Sequence, residues 1–89
     1  MPTEHIFFSG RVQGVGFRAT LRGIAKNVPV VGYVRNLPDG RVEAVVQGEA
    51  VAVEKLLTTI ELRLPGHVRQ VERRELTSAE DFAGFEIRY

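Results

Sequence analysis

Three glycines and an arginine share one short segment near the start of the chain, G-R-V-Q-G-V-G-F-R at 10–18. Glycines allow backbone N–H groups to turn inward and to approach a ligand closely. A helical pattern begins directly after the last glycine, so the helix would add unpaired N–H groups and the positive end of its dipole. Arg18 lies in the first turn of that helix and can reach back over the loop. These donors together suit a dianionic phosphate.

The segment does not match either common nucleotide-binding motif. A P-loop ends in G-K-[ST], which is missing here, and a dinucleotide fingerprint has another glycine spacing and an acidic residue after the second strand. Asn36 ends the second predicted strand, which we expect to lie roughly 9–10 Å from the first strand, with one strand between them. A carboxamide both accepts and donates hydrogen bonds. Asn36 can therefore orient a water molecule but cannot act as a strong base.

The other residue types limit the reaction that such a site could perform. The chain has no Cys, and we expect His5 and His67 to be surface residues rather than ligands or bases. No carboxylate cluster suited to two metal ions is visible, and we expect neither a metal nor a cofactor. The substrate must then be intrinsically labile. A carboxyl-phosphate anhydride meets this condition, because its carboxylate leaves without a proton and catalysis is largely positioning and charge stabilisation.

Length and composition restrict the class of protein. The 89 residues, 44% hydrophobic and 26% charged, predict a single soluble domain over 1–89. The net charge of +1 is too balanced for a general nucleic-acid binder. No apolar run approaches the roughly 20 residues of a membrane helix, and the first residues do not resemble a signal peptide. We therefore expect a cytoplasmic monomer with no membrane or nucleic-acid partner.

Hydrophobic periodicity and turn residues predict five strands and two helices. The apolar stripes indicate helices over 17–28 and 50–63, ended by Pro29 and by Pro65-Gly66. A turn is expected at Leu37-Pro38-Asp39-Gly40 and another at 78–81. The strands are expected at 4–11, 30–37, 41–47, 67–76 and 82–89.

The order of these elements predicts an α+β fold, the ferredoxin-like split β-α-β sandwich, as βαββαβ plus a short C-terminal strand. Two helices, each with one apolar stripe, must cover one face of an antiparallel sheet. The third strand is expected between the first and the second, and the fourth beside the first. This topology brings the ends of the first two strands, and hence Arg18 and Asn36, to the same edge of the sheet.

Two segments, 10–18 and G-Y-V-R-N-L-P-D-G-R-V-E-A-V-V-Q-G at 32–48, resemble the acylphosphatase family in their residues, spacing and separation. The resemblance implies hydrolysis of small acyl phosphates to a carboxylate and inorganic phosphate without a metal, with phosphate as a product inhibitor. It implies that Arg18 binds the phosphate and that Asn36 orients the attacking water. The phosphate-binding residues that it implies are Gln13, Gly14, Val15, Gly16, Phe17 and Arg18, through their backbone amides.

Two other functions remain open at this point. Ferredoxin-like modules also bind RNA by stacking bases on aromatic residues of the sheet, but the third predicted strand, 41–47, has no aromatic residue. Acylphosphatase-like units also occur as carbamoyl-phosphate-handling domains of larger enzymes. Arg11 and Arg35 either raise the positive potential near the site or are solvated strand-end residues. The physiological acyl phosphate cannot be read from a site that binds only the phosphate end.

Overall fold

A computed structural model of the chain describes residues 2–77 and 80–89. Its elements confirm the predicted order of strands and helices. They are, in chain order, β1 (Thr3–Gly10), α1 (Phe17–Ala25), β2 (Val31–Asn36), β3 (Val42–Gln47), α2 (Ala50–Arg63), β4 (Val68–Glu75) and β5 (Phe85–Ile87).

Two elements differ from their predicted ranges by more than one residue at an end. Helix α1 ends at Ala25 rather than at residue 28, because the chain then tightens into a turn in which Asn27 N–H donates to Ile24 O at 2.9 Å. Strand β5 covers only Phe85–Ile87 of the predicted 82–89. The turn predicted at 78–81 lies partly outside the described residues.

The sheet has the order β4-β1-β3-β2-β5. Strands β1 to β4 pair antiparallel, as predicted, whereas β5 pairs parallel with β2 and makes the sheet mixed. The C-terminal end of β4 lies on the side of the sheet where β2 begins. The next strand, β5, therefore runs in the same direction as β2. The C-terminal ends of β1, β2 and β5 therefore meet at one edge.

Both helices cover the same face of the sheet and bury their predicted apolar stripes. Helix α1 contributes Phe17, Leu21 and Ile24, and α2 contributes Val53, Leu56 and Ile60. The strand residues that complete this core are Ile6, Phe8, Val34, Val42, Ala44 and Val46. Within the described residues, neither helix is long and apolar enough to cross a membrane.

The opposite face of the sheet carries a buried carboxylate. Glu43 on β3 is 6% exposed, and its carboxylate accepts hydrogen bonds from His5 Nε2 at 2.8 Å and from Arg35 Nε. Burial raises the pKa of Glu43, but the hydrogen bonds from His5 and Arg35 outweigh it and hold that pKa below its ordinary value of 4.5. His5 thus has an acidic partner that lies 38 residues away in the sequence.

We expect Glu43→Gln to lower the free energy of unfolding at neutral pH by about 1–3 kcal/mol, because charge-assisted hydrogen bonds are lost. A carboxyl whose pKa is lowered by folding stabilises the native state above its unfolded pKa, and this contribution disappears as the pH falls through the folded pKa. Urea unfolding of both proteins should therefore show a difference at neutral pH that shrinks below pH 4.5. Glu86→Gln, in an exposed ion pair with Arg88, is the control. A pH-independent difference would contradict this account.

Candidate active site

The loop after β1 turns into α1 through two glycines in the left-handed region. Gly14 has φ 77° and Gly16 has φ 76°, values that other residues adopt only with strain. Gly16 immediately precedes the helix, and its carbonyl accepts the first helical hydrogen bond, from Thr20 N–H at 3.0 Å. In the described part of the chain, no backbone N–H of residues 13–18 donates to a backbone carbonyl. These amides are therefore free to bind an acceptor from outside the chain.

The beginning of α1 departs from the usual chemistry of a helix N-terminus. No side chain caps it, its first turn has no acidic residue, and Arg18 places a cation there. A cation in the first turn opposes the helix dipole and lowers the stability of the helix by roughly 0.3–1 kcal/mol. Among residues 2–77 and 80–89, no carboxylate forms an ion pair with Arg18. The uncompensated positive charge favours an anion at this helix end.

Asn36 lies at the C-terminal end of β2 with an unusual side chain. Its Oδ1 is buried and accepts no hydrogen bond in the described structure. An unpaired buried polar atom is costly in a folded protein and calls for a reason. A half-turn of the carboxamide exchanges its oxygen and nitrogen with little change of shape, so either end can be presented to a ligand.

A pocket of about 230 Å³ brings Arg18 and Asn36 together. Its volume is several times that of one water molecule, which occupies about 30 Å³ in the liquid. The residues that line it are Val12, Gly14, Gly16, Phe17, Arg18, Ala19, Asn36, Ile87 and Tyr89. The topology explains this convergence, because the pocket lies where the ends of β1, β2 and β5 meet.

Two of the predicted phosphate-binding residues direct their side chains elsewhere. Gln13 Nε2 donates to Leu37 O at 2.8 Å and to Arg41 O at 2.9 Å. Val15 packs against the hydrophobic core. Neither residue lines the pocket, so each can contribute only its backbone N–H. Phe17 is 2% exposed and packs on Phe8 with a ring-centroid distance of 4.9 Å, so its side chain belongs to the core.

Sequence reasoning missed the wall of the pocket that comes from β5 and the residues after it. Ile87 and Tyr89 both line the pocket, and the Arg18 guanidinium carbon lies 5.1 Å from the centroid of the Tyr89 ring. A cation over an aromatic face is weakly stabilised. The predicted strand 82–89 contained both residues, but nothing in the sequence placed that strand beside β2.

The two arginines left open by the sequence lie outside the pocket. Arg35 pairs with Glu43 on the open face of the sheet, so its charge is compensated there. Arg11 is exposed, and its carbonyl accepts a hydrogen bond from His67 Nδ1 at 3.0 Å. Of the three arginines considered at this edge, Arg18 alone lines the pocket.

Side chains that could hold a metal do not cluster in the part of the chain that the structure describes. No group of three or more His, Cys, Asp or Glu residues converges there. Among the described residues that line the pocket, the polar side chains are those of Arg18, Asn36 and Tyr89, and the glycine loop adds backbone N–H groups. Such a set binds an oxyanion and orders a water molecule beside it.

Comparison with known proteins assigns the family. The family model described as acylphosphatase matches residues 4–87. The chain is 46% identical to the acylphosphatase of Thiobacillus denitrificans, over 99% of this chain and 98% of that protein. The chain belongs to the acylphosphatase family. It is also 59% identical to the acylphosphatase of a Roseiflexus species over 58 residues, which cover 65% of this chain and 62% of that protein.

Solved acylphosphatase structures share the fold. The chain matches the crystal structure of acylphosphatase from Bacillus subtilis with a TM-score of 0.89 and 33% identity, over 100% of both chains. It also matches HypF from T. kodakarensis with a TM-score of 0.87 and 30% identity, over 100% of this chain and 12% of that one. The acylphosphatase fold thus occurs in small proteins and as part of a much longer one.

Proposed function

We propose that this protein hydrolyses acyl phosphates to a carboxylate and inorganic phosphate, in the pocket that contains Arg18 and Asn36. The activity follows from membership of the acylphosphatase family, whose enzymes hydrolyse acyl phosphates. The observation that carries the assignment of the site is Arg18 in the first turn of α1, with Asn36 in the same pocket.

The proposed chemistry is direct attack of water on phosphorus. The amides of residues 13–18 and the Arg18 guanidinium hold the phosphoryl oxygens, and the Asn36 carboxamide orients the water. The water oxygen bonds to phosphorus while the bond to the acyl oxygen breaks with its electron pair. The acyl phosphate dianion and water thus give a carboxylate and dihydrogen phosphate, which retains both protons of the water. Neither a general acid nor a metal is needed, because the carboxylate leaves unprotonated and Arg18 balances the charge.

The open face of the sheet disfavours the nucleic-acid alternative. The rings of Phe7 and Tyr33 on this face are already covered, since the Arg41 guanidinium carbon lies 4.6 Å from the Phe7 ring centroid and that of Arg88 lies 4.1 Å from the Tyr33 ring centroid. The Glu43 carboxylate lies between them on β3. Bases stack on exposed rings in a positive groove, whereas these two rings are covered by arginines and have a carboxylate nearby.

The carbamoyl-phosphate-handling alternative is also not favoured. The match to HypF covers 12% of that protein, whereas the match to the acylphosphatase of Thiobacillus denitrificans covers 98% of it. The proposal further takes residues 1–89 as one domain that works as a cytoplasmic monomer, with inorganic phosphate as a competitive product inhibitor. Among residues 2–77 and 80–89, the exposed large apolar residues are few, which supports a monomer; they are Val51, Leu62, Val71 and Tyr89.

Hydrolysis of benzoyl phosphate, followed as loss of the anhydride, is the test. We expect turnover that saturating EDTA does not reduce and that magnesium does not increase, because Arg18 supplies the positive charge. An alkyl phosphomonoester such as glycerol phosphate should not be hydrolysed, since its alkoxide leaving group needs a general acid. Absence of benzoyl phosphate turnover would overturn the proposal. Loss of activity with EDTA, restored by a divalent ion, would overturn its metal-free mechanism.

A further inference from the structure

The Gln13 side chain forms a bridge between two parts of the molecule. Its amide nitrogen donates both protons, one to Leu37 O at 2.8 Å and the other to Arg41 O at 2.9 Å. Gln13 belongs to the loop before α1, whereas the two carbonyls belong to the turn between β2 and β3. Asn36 is the residue directly before Leu37. One side chain therefore joins the loop that supplies the phosphate-binding amides to the strand end that carries Asn36.

The turn does not need Gln13 in order to close. Leu37 N–H donates to Arg41 O at 2.8 Å, and Gly40 N–H donates to Leu37 O at 3.2 Å. Both carbonyls thus have a backbone partner already, and Gln13 supplies a second donor to each. The Gln13 side chain therefore connects the turn to the loop, and the turn forms without it.

The sheet does not provide this connection. Pairing between β1 and β3 ends at Phe8 and Val42, before either the loop or the turn begins. The other hydrogen bonds between the loop and a distant element lead to His67, at the opposite side of β1. Across the described residues, Gln13 makes the only hydrogen bonds between residues 11–18 and residues 36–41. Besides core packing, the Gln13 side chain is thus the hydrogen-bonded link between the loop and the turn that follows Asn36.

We propose that Gln13 is a positioning residue that sets the distance from the phosphate cradle to Asn36, and hence the alignment of the attacking water with phosphorus. The inference rests on the proposed function of the pocket. In-line attack is sensitive to small displacements, and a misplacement of about 1 Å can lower a rate by roughly 100-fold. Phosphate binding depends on the loop amides and Arg18, which Gln13 does not contact through its side chain.

Gln13→Met tests the proposal, because methionine keeps the length of the side chain and has no donor. We expect kcat for benzoyl phosphate to fall roughly 10- to 100-fold, while the inhibition constant of inorganic phosphate stays within about threefold, less than one charge-assisted hydrogen bond would change it. Gln47→Met is the matched control, since Gln47 is also half-buried and donates to Thr3 Oγ1, at the end of β3 far from the pocket. That variant should keep the wild-type kcat. Wild-type kcat in Gln13→Met, or loss of phosphate inhibition with unchanged kcat, would overturn the inference.

A double-mutant cycle with Asn36→Ala separates positioning from a structural effect. If Gln13 acts by placing Asn36, then Gln13→Met should change kcat by less than about twofold when Asn36 is already absent. An equal fall in kcat in both backgrounds would overturn the inference and leave the proposed function intact. Wild-type kcat in Asn36→Ala itself would instead remove the proposed role of Asn36, and this inference with it.

A second variant guards against poor folding of the first. Gln13→Asn keeps the carboxamide but is one methylene shorter, so it cannot reach both carbonyls. We expect a fall in kcat in the same direction and the same dependence on Asn36. Thermal unfolding of each variant shows whether the protein assayed is folded. A folded Gln13→Asn protein with wild-type kcat would overturn the inference.

Discussion

Arg18→Ala should lower kcat/KM for benzoyl phosphate by about 10³-fold or more, the range found when an arginine that stabilises a transferring phosphoryl group is removed. Inorganic phosphate should also inhibit roughly 10- to 100-fold more weakly, because one or two charge-assisted hydrogen bonds to the anion are lost. Both effects follow from the position of Arg18, which carries an uncompensated charge at the uncapped end of α1. Steady-state kinetics with phosphate as inhibitor measures both quantities.

Arg22→Ala is the matched control for that experiment. Arg22 lies one turn further along α1, is exposed, and reaches the carbonyl of Phe85 rather than the pocket. Its removal changes the net charge by the same amount and should leave kcat/KM near the wild-type value. Arg18→Lys keeps the charge without the bidentate guanidinium. Its kcat/KM therefore shows how much of the Arg18 contribution depends on the geometry of the guanidinium and not on its charge. Unchanged phosphate inhibition in a folded Arg18→Ala protein would contradict the assignment of Arg18 to the anion site.

The order of strands and helices could be predicted because local residues decide it. The stripe of Phe17, Leu21 and Ile24 predicts one side of α1, and the buried residues of that helix confirm it. Contacts between residues far apart in the sequence were harder to predict. The parallel pairing of β5 with β2 depends on where β4 ends, and a short strand of three residues has too little pattern to reveal a partner. The C-terminal end of α1 was placed too late because the turn after Ala25 has no glycine or proline before Pro29.

The residues of the candidate site show the same difference between local and long-range features. Arg18 and Asn36 could be proposed because each adjoins a recognisable backbone feature, a glycine loop or the end of a strand. Tyr89 and the Gln13 bridge could not, because their partners lie far away in the sequence. The hydrogen bonds of Gln13 span 24 and 28 residues, and a glutamine in a glycine-rich loop carries no local sign of which way it points. Glu43 and His5 were missed for the same reason.

Two departures from local rules lie at the pocket. A cation in the first turn of α1 and a buried carboxamide oxygen without a partner each cost stability. The missing side-chain cap is not special to α1, because α2 lacks one too. Elsewhere the helix stripes and the paired strands agree with what their sequences predict. Such local conflicts are typical of sites where function, rather than stability, determines the residue. The unpaired buried oxygen of Asn36 is such a conflict, which a purely structural residue would lack.

Asn36→Ala should lower kcat by about 10²–10³-fold, the usual cost of removing one polar group aligned with the transition state. Phosphate inhibition should stay within a few-fold of wild type, because the loop amides and Arg18 remain. Asn36→Asp should be no more active, since it brings a negative charge to an anionic substrate and removes the amide donor. The pH–rate profile of the wild type should be flat through neutrality, because a carboxamide does not titrate.

Stability should move in the opposite direction to activity in Asn36→Ala. The Asn36 side chain makes no hydrogen bond in the described structure, and its buried oxygen is unpaired. Alanine therefore removes a desolvation cost without removing a native hydrogen bond. We expect the midpoint of thermal unfolding to be unchanged or raised while kcat falls. A lowered midpoint together with near-normal kcat would identify Asn36 as a structural residue at the end of β2, and the attacking water would then need another residue to orient it.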